Sequence, residues 1–93
     1  MIKSFRHNAL NALYEDDSPR GFRQDQVKRL RALLAWLEIS CTPADMDFPR
    51  LRLHPLKGDM AGFYTVDVSG LWRRVFRFDE HGDAADVDWV DYH

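Results

Sequence analysis

At 93 residues the chain has room for one domain, and 45% hydrophobic residues are enough to pack one core. Aromatics at 13% and charged residues at 30% argue against disorder, and the single cysteine, Cys41, excludes an internal disulfide and CxxC zinc chemistry. No apolar run approaches a membrane span, and the first residues lack the apolar region of a signal peptide, so no membrane partner and a cytoplasmic protein are expected. The net charge of -2 gives no general attraction to nucleic acid, but the charge is unevenly spread. Residues 50–77 carry six Lys or Arg and two acids, whereas 79–93 carry six acids and no Lys or Arg. A local basic surface of this kind can hold phosphate while steering it only weakly from a distance.

Residues 2–5 alternate enough for a short first strand. Asn8 suits a helix N-cap, with residues 9–14 placing Leu10, Leu13 and Tyr14 on one side. Residues 15–21, with two aspartates, a Ser-Pro and Gly21, form a turn. The clearest element is a helix over Gln24–Ile39, where Val27, Leu30, Leu34 and Leu37 keep helical spacing and Leu33 and Trp36 widen the stripe. Lys28, Arg29 and Arg31 lie mostly on its other face, as solubilising charge or as a contact for RNA or an acidic partner. Thr42 and Pro43 start a single further turn.

From Leu51 onward the period becomes two. Strands are expected at residues 51–53, 63–68, Trp72–Phe78 and 86–91, joined by turns at 69–71 and 79–83. Trp72, Arg74, Phe76 and Phe78 share one face of the third strand, and Arg73, Val75 and Arg77 the other. The fold class is therefore α+β, a single domain over residues 1–93. Two N-terminal helices cover one face of a small, mainly antiparallel sheet of four to five strands, and the other face stays open with Arg73 and Arg77 in it.

The chemistry-bearing residues gather in the second half. His54 precedes Pro55, which holds its backbone extended, and Asp91-Tyr92-His93 ends the sequence. RNA can be cut by its own 2'-hydroxyl if the protein takes that proton, gives one to the departing 5'-oxygen and holds the extra negative charge. Imidazoles suit both proton transfers at neutral pH, and arginine suits the charge. His54 and His93 on either side of one phosphate, with an arginine of the open face, Arg73 or Arg77, beside them, would meet these needs. Tyr92 would stack on a base or donate to phosphate, and Asp91 would orient an imidazole or take a proton. A metal set of His54, Asp91 and His93 is the competing chemistry, but its spacing matches no local metal motif. His7 and His81 carry no expected role.

The runs Arg52-Leu53-His54-Pro55-Leu56-Lys57-Gly58, Gly70-Leu71-Trp72-Arg73, Phe76-Arg77-Phe78 and Asp86-Val87-Asp88-Trp89-Val90-Asp91-Tyr92-His93 resemble the HigB toxins of the RelE superfamily. Phe5-Arg6-His7, Leu13-Tyr14-Glu15, Arg20-Gly21 and Val27-Lys28-Arg29-Leu30 extend the likeness to the amino-terminal half. The resemblance implies a RelE-like fold and the toxin of a type II toxin-antitoxin system, a ribosome-dependent mRNA endoribonuclease that needs no cofactor or metal. It implies His54, Asp91, Tyr92, His93 and Arg73 as the catalytic set, with Lys57, and alongside it Arg52 and Arg77, as RNA contacts. The implied partners are the ribosome with its mRNA and a HigA-like helix-turn-helix antitoxin, through which alone the toxin would reach operator DNA. A non-catalytic module of the same fold, binding RNA or antitoxin, is the alternative. Two positions depart from the family pattern. Leu71 stands where asparagine is usual, and Arg74 where a β-branched apolar residue is usual. Arg74 shares its face with Trp72 and Phe76, so it is expected to reach solvent at the sheet margin or to be paired.

Overall fold

A computed structural model describes residues 1–69 and 72–91 of the chain. Two helices, α1 (Asn8–Asp16) and α2 (Gln24–Ile39), precede strands β1 (His54–Pro55), β2 (Tyr64–Ser69), β3 (Trp72–Phe78) and β4 (Ala84–Asp91). The strands form one antiparallel sheet in the order β1-β2-β3-β4, so the α+β arrangement expected from the sequence is the one observed.

The helical stripe decides which side of the sheet is covered. Leu30 and Leu37 of α2 and Leu10 of α1 are fully buried against Val66, Phe76 and Val87, one residue from each of the three long strands. Burying each such side chain is worth about 2 kcal/mol, which fixes the helices to this face. Trp72 and Trp89 stack on the same side, with ring centroids 4.9 Å apart and planes 6° from parallel. Glu38 at the end of α2 ties the layers together. Its carboxylate accepts from the Tyr14 hydroxyl of α1 at 2.6 Å and from the Ile2 amide at 3.0 Å. That bond to Glu38, with some burial, pushes the Tyr14 phenol up to about 12.

Several local expectations differ from the structure. The N-cap of α1 is His7, whose Nδ1 accepts from the Leu10 amide at 3.3 Å; Asn8 is already helical. His7 therefore has a structural part that its position did not disclose. Residues 2–5 lie along β4 in the parallel sense but bridge it only at Ile2–Ala84 and Phe5–Val87. The reason is a bulge in β4, where Asp86 takes a left-handed φ of 51° and the β3 register skips between Val75 and Arg77. The first β pairing falls at His54–Pro55 instead of 51–53, because Arg52 is left-handed (φ 51°) and the Leu51 carbonyl accepts from the Asp67 amide. Strand β4 begins at Ala84, two residues earlier than the alternation of acids and apolar residues marks.

Arg74 overturns its expectation most sharply. It is 0% exposed, and its Nε and both terminal nitrogens find no hydrogen-bond partner among the described residues. It does not reach solvent, and no described residue pairs with it. Its cross-strand neighbours are Val66 and Trp89, both buried and apolar, so strand alternation places the guanidinium under the helices with nothing charged in register. Desolvation pushes its pKa down from 12.5 to about 9, which still leaves the group cationic at neutral pH.

Candidate active site

The face opposite the helices carries His54, Arg73 and Arg77. Cross-strand register sets them in rows. One row runs His54, Thr65, Val75, Asp88 across β1 to β4, and the next runs Asp67, Arg73, Val90 across β2 to β4. His54 and Arg73 are thus two strands and one row apart, about 12 Å between Cα atoms by sheet geometry. That is a separation two long side chains can close on a phosphate. This face is not as open as the sequence implies. Thr65, Val75 and Ala85 are nearly solvent-free, since the stems of Arg73 and Arg77 flank Val75 on the same side of β3.

His54 is exposed, and its Nδ1 lies 2.9 Å from the Arg52 carbonyl oxygen. A carbonyl only accepts, so this contact favours a proton on Nδ1, and in the neutral ring Nε2 then keeps the lone pair. This leaves an imidazole oriented to take or give a proton at Nε2. The left-handed Arg52 makes the contact possible by turning its carbonyl back onto the ring.

Arg73 is held by Asp67. Its Nε is 2.8 Å from Asp67 Oδ1, and both side chains are about one-fifth exposed. The same Oδ1 has no hydrogen-bond partner among the described residues, so the 2.8 Å contact is an ion pair at that oxygen. Arg73 also donates to the Trp72 carbonyl at 3.2 Å. Arg52 approaches the same carboxylate at 3.9 Å from an exposed position. Asp67 was not singled out in the sequence. The available signal was its phase in the strand, an acid alternating with Tyr64, Val66 and Val68.

The remaining expected residues lie in four places. Lys57 is exposed in the β1–β2 connection, just before a short 3-10 turn at Gly58–Met60. Arg77 lies on the same face as Arg73 but four residues along β3, where its Nε meets Asp86 Oδ2 at 2.7 Å; that bond raises its pKa further. The backbone of Asp91 pairs with Trp72, one step from the Arg73 row. Tyr92 and His93 lie outside the described residues, as does Leu71. Arg73 on β3 therefore stands between His54 on β1 and the start of the terminal set on β4.

Residues 3–93 match the family described as the RelE-like toxin of the type II toxin-antitoxin system HigB. The chain belongs to this HigB-like toxin family. A curated relative, Endoribonuclease HigB of Proteus vulgaris, is 34% identical over 93 residues, covering all of both chains. Membership makes this HigB-like chain one half of a toxin-antitoxin pair, so a protein antitoxin is its partner. The two-helix, four-strand arrangement is consistent with the RelE-like fold of the family. No helix among the described residues is long and apolar enough to cross a membrane.

Proposed function

We propose that this HigB-like toxin is a cytoplasmic endoribonuclease that cuts messenger RNA on the ribosome by metal-independent acid–base catalysis. The RNA would lie across the outer face between β1 and β4. His54 Nε2 would take the proton of the 2'-hydroxyl as its oxygen attacks the adjacent phosphorus. His93 would give a proton to the 5'-oxygen as the P–O bond breaks, leaving a 2',3'-cyclic phosphate and a 5'-hydroxyl. Arg73 would hold the non-bridging oxygens, with its fork pre-set by Asp67. Asp91 would orient an imidazole, and Tyr92 would stack on a base or donate to phosphate. Lys57 and Arg52 would contact the RNA backbone, whereas Arg77 would do so only by leaving Asp86. The partner would be a HigA-like helix-turn-helix antitoxin.

The observation that carries this reading is the row geometry. An imidazole whose Nδ1 faces a carbonyl and an anchored guanidinium share one exposed-edge face. The full-length relative named as an endoribonuclease supports it. The test is cleavage of a defined message in reconstituted translation, with mapped 5' ends. His54→Ala is expected to slow cutting about 100-fold or more. Translation that stalls over intact message would mark a binding module that no longer cuts. Undiminished cutting after loss of both His54 and His93 would remove the acid–base assignment.

A further inference from the structure

A concavity at the sheet edge meets the rows of the candidate site at Asp67. It is a groove of about 680 Å³ between α2, the chain leading into β1 and the edge of β2. Trp36 and Phe48 line it as a packed aromatic pair, with ring centroids 5.0 Å apart and planes inclined by 56°. Trp36 is 47% exposed, although tryptophan is an expensive side chain to leave in water. Leu51 adds an apolar wall, and Arg29 and Arg50 stand at the rim. The Arg29 guanidinium donates to the Val68 carbonyl at 2.8 Å, which steadies it and leaves other N–H groups available. Asp67 lines the end of the groove and is also the residue that anchors Arg73.

We propose that this groove is a nucleobase subsite, taking one unstacked base of the RNA substrate beside the bond that is cut. The proposal rests on the ribonuclease reading and adds to it where a flanking nucleotide goes. Two observations choose RNA as the occupant. First, the walls are aromatic and the rim is cationic, the combination that stacks a base and neutralises its phosphate. RNA supplies the complementary charge, and the rim arginines stand out on a chain whose net charge is -2. Second, the groove is continuous with the candidate active site through one residue. Asp67 is two residues along β2 from Thr65, the register partner of His54, or about 7 Å along the strand. A strand of RNA lying over Arg73 therefore reaches the groove with an adjacent nucleotide, and Arg52 lies beside that path at 3.9 Å from Asp67. Filling the groove would favour substrates whose base stacks well there, a source of sequence preference separate from the proton-transfer groups.

The test uses the full chain and a single-stranded hexa-adenylate, read by tryptophan fluorescence and by a competition assay that needs no tryptophan. Trp36 is expected to be quenched as the oligonucleotide binds. Trp36→Ala should weaken binding about 5- to 100-fold, and Trp36→Phe should retain most of the affinity while losing the quench. Arg50→Ala should lower the slope of log affinity against log salt by about 0.7. An oligonucleotide lacking one base at the right position should bind the wild type less well and Trp36→Ala no worse than its intact parent does. Wild-type binding too weak to measure, unchanged affinity in Trp36→Ala, or an equal abasic penalty in both proteins would each overturn the proposal. So would a Trp36→Ala chain that binds RNA normally but loses its antitoxin, since the groove would then belong to a protein partner. An oligonucleotide held through Trp36 by a protein that never cuts RNA would sink the ribonuclease reading and leave the subsite standing.

Discussion

Strand β3 carries three arginines within six residues, and its two faces treat them in opposite ways. Arg73 and Arg77, on the outer face, each meet a carboxylate, Asp67 at 2.8 Å and Asp86 at 2.7 Å. Arg74, one residue on, is buried between Val66 and Trp89, and its guanidinium nitrogens lack a hydrogen-bond partner among the described residues. The side chain is the same, and so is the strand. What differs is which residues the register brings across. On the outer face the neighbouring strands supply acids, so a cation is held in place and kept near solvent. On the helix face they supply core, so the cation is desolvated with no return. A charge anchored at the surface can be used on a substrate, while one buried alone only lowers stability.

The largest expected effect falls on the outer face. Arg73→Ala should slow message cleavage about 100- to 1,000-fold, measured by 5'-end mapping in reconstituted translation, with little change in the urea midpoint. Normal cutting by that variant would reduce Arg73 to a partner of Asp67 and dissolve the functional half of the comparison. Next comes the helix face. Arg74→Met keeps the bulk and removes the charge, so unfolding in urea should become harder by about 3 kcal/mol with cleavage unchanged. A lower midpoint would show that the guanidinium is stabilised in the core after all. Arg77→Ala should leave the urea midpoint close to that of the wild type, since its pair is partly exposed and screened by solvent, and should affect cleavage far less than Arg73→Ala. Equal losses in the two variants would merge the two ends of the strand into one site.

The smallest effect is a control on the helix side. The Tyr14 phenol, raised from 10.0 to about 12 by its bond to Glu38, binds its proton more tightly folded than unfolded. Its contribution is therefore fully present below pH 10 and is lost as pH climbs through 12. Stability measured across that window should fall more steeply for the wild type than for Tyr14→Phe. Parallel curves would mean the hydroxyl contributes nothing to the joint between the helices.

Much of the frame could be read from residue order. The period of Val27, Leu30, Leu34 and Leu37 marks α2, whose observed bounds are Gln24–Ile39 as expected. Alternation marks β3 over Trp72–Phe78 and sorts its side chains correctly between the two faces. Bulges and left-handed residues were not legible. Asp86 and Arg52 both adopt positive φ without being glycine, and each shifts where pairing begins. Of the candidate site, His54 and Arg73 were visible as residue types, but Asp67 was not. Its role depends on a partner six residues away across a hairpin.

Hydrophobic period and alternation are local properties, so the sequence by itself determined the class of fold and the covered face of the sheet, and it offered the residue types for proton transfer and phosphate binding. The tertiary structure alone decided which charges met a partner. Register between strands is set by turns, bulges and the packing of the whole core. It gave Arg73 a carboxylate, set Arg74 across from Val66 and Trp89, and turned the Arg52 carbonyl onto His54.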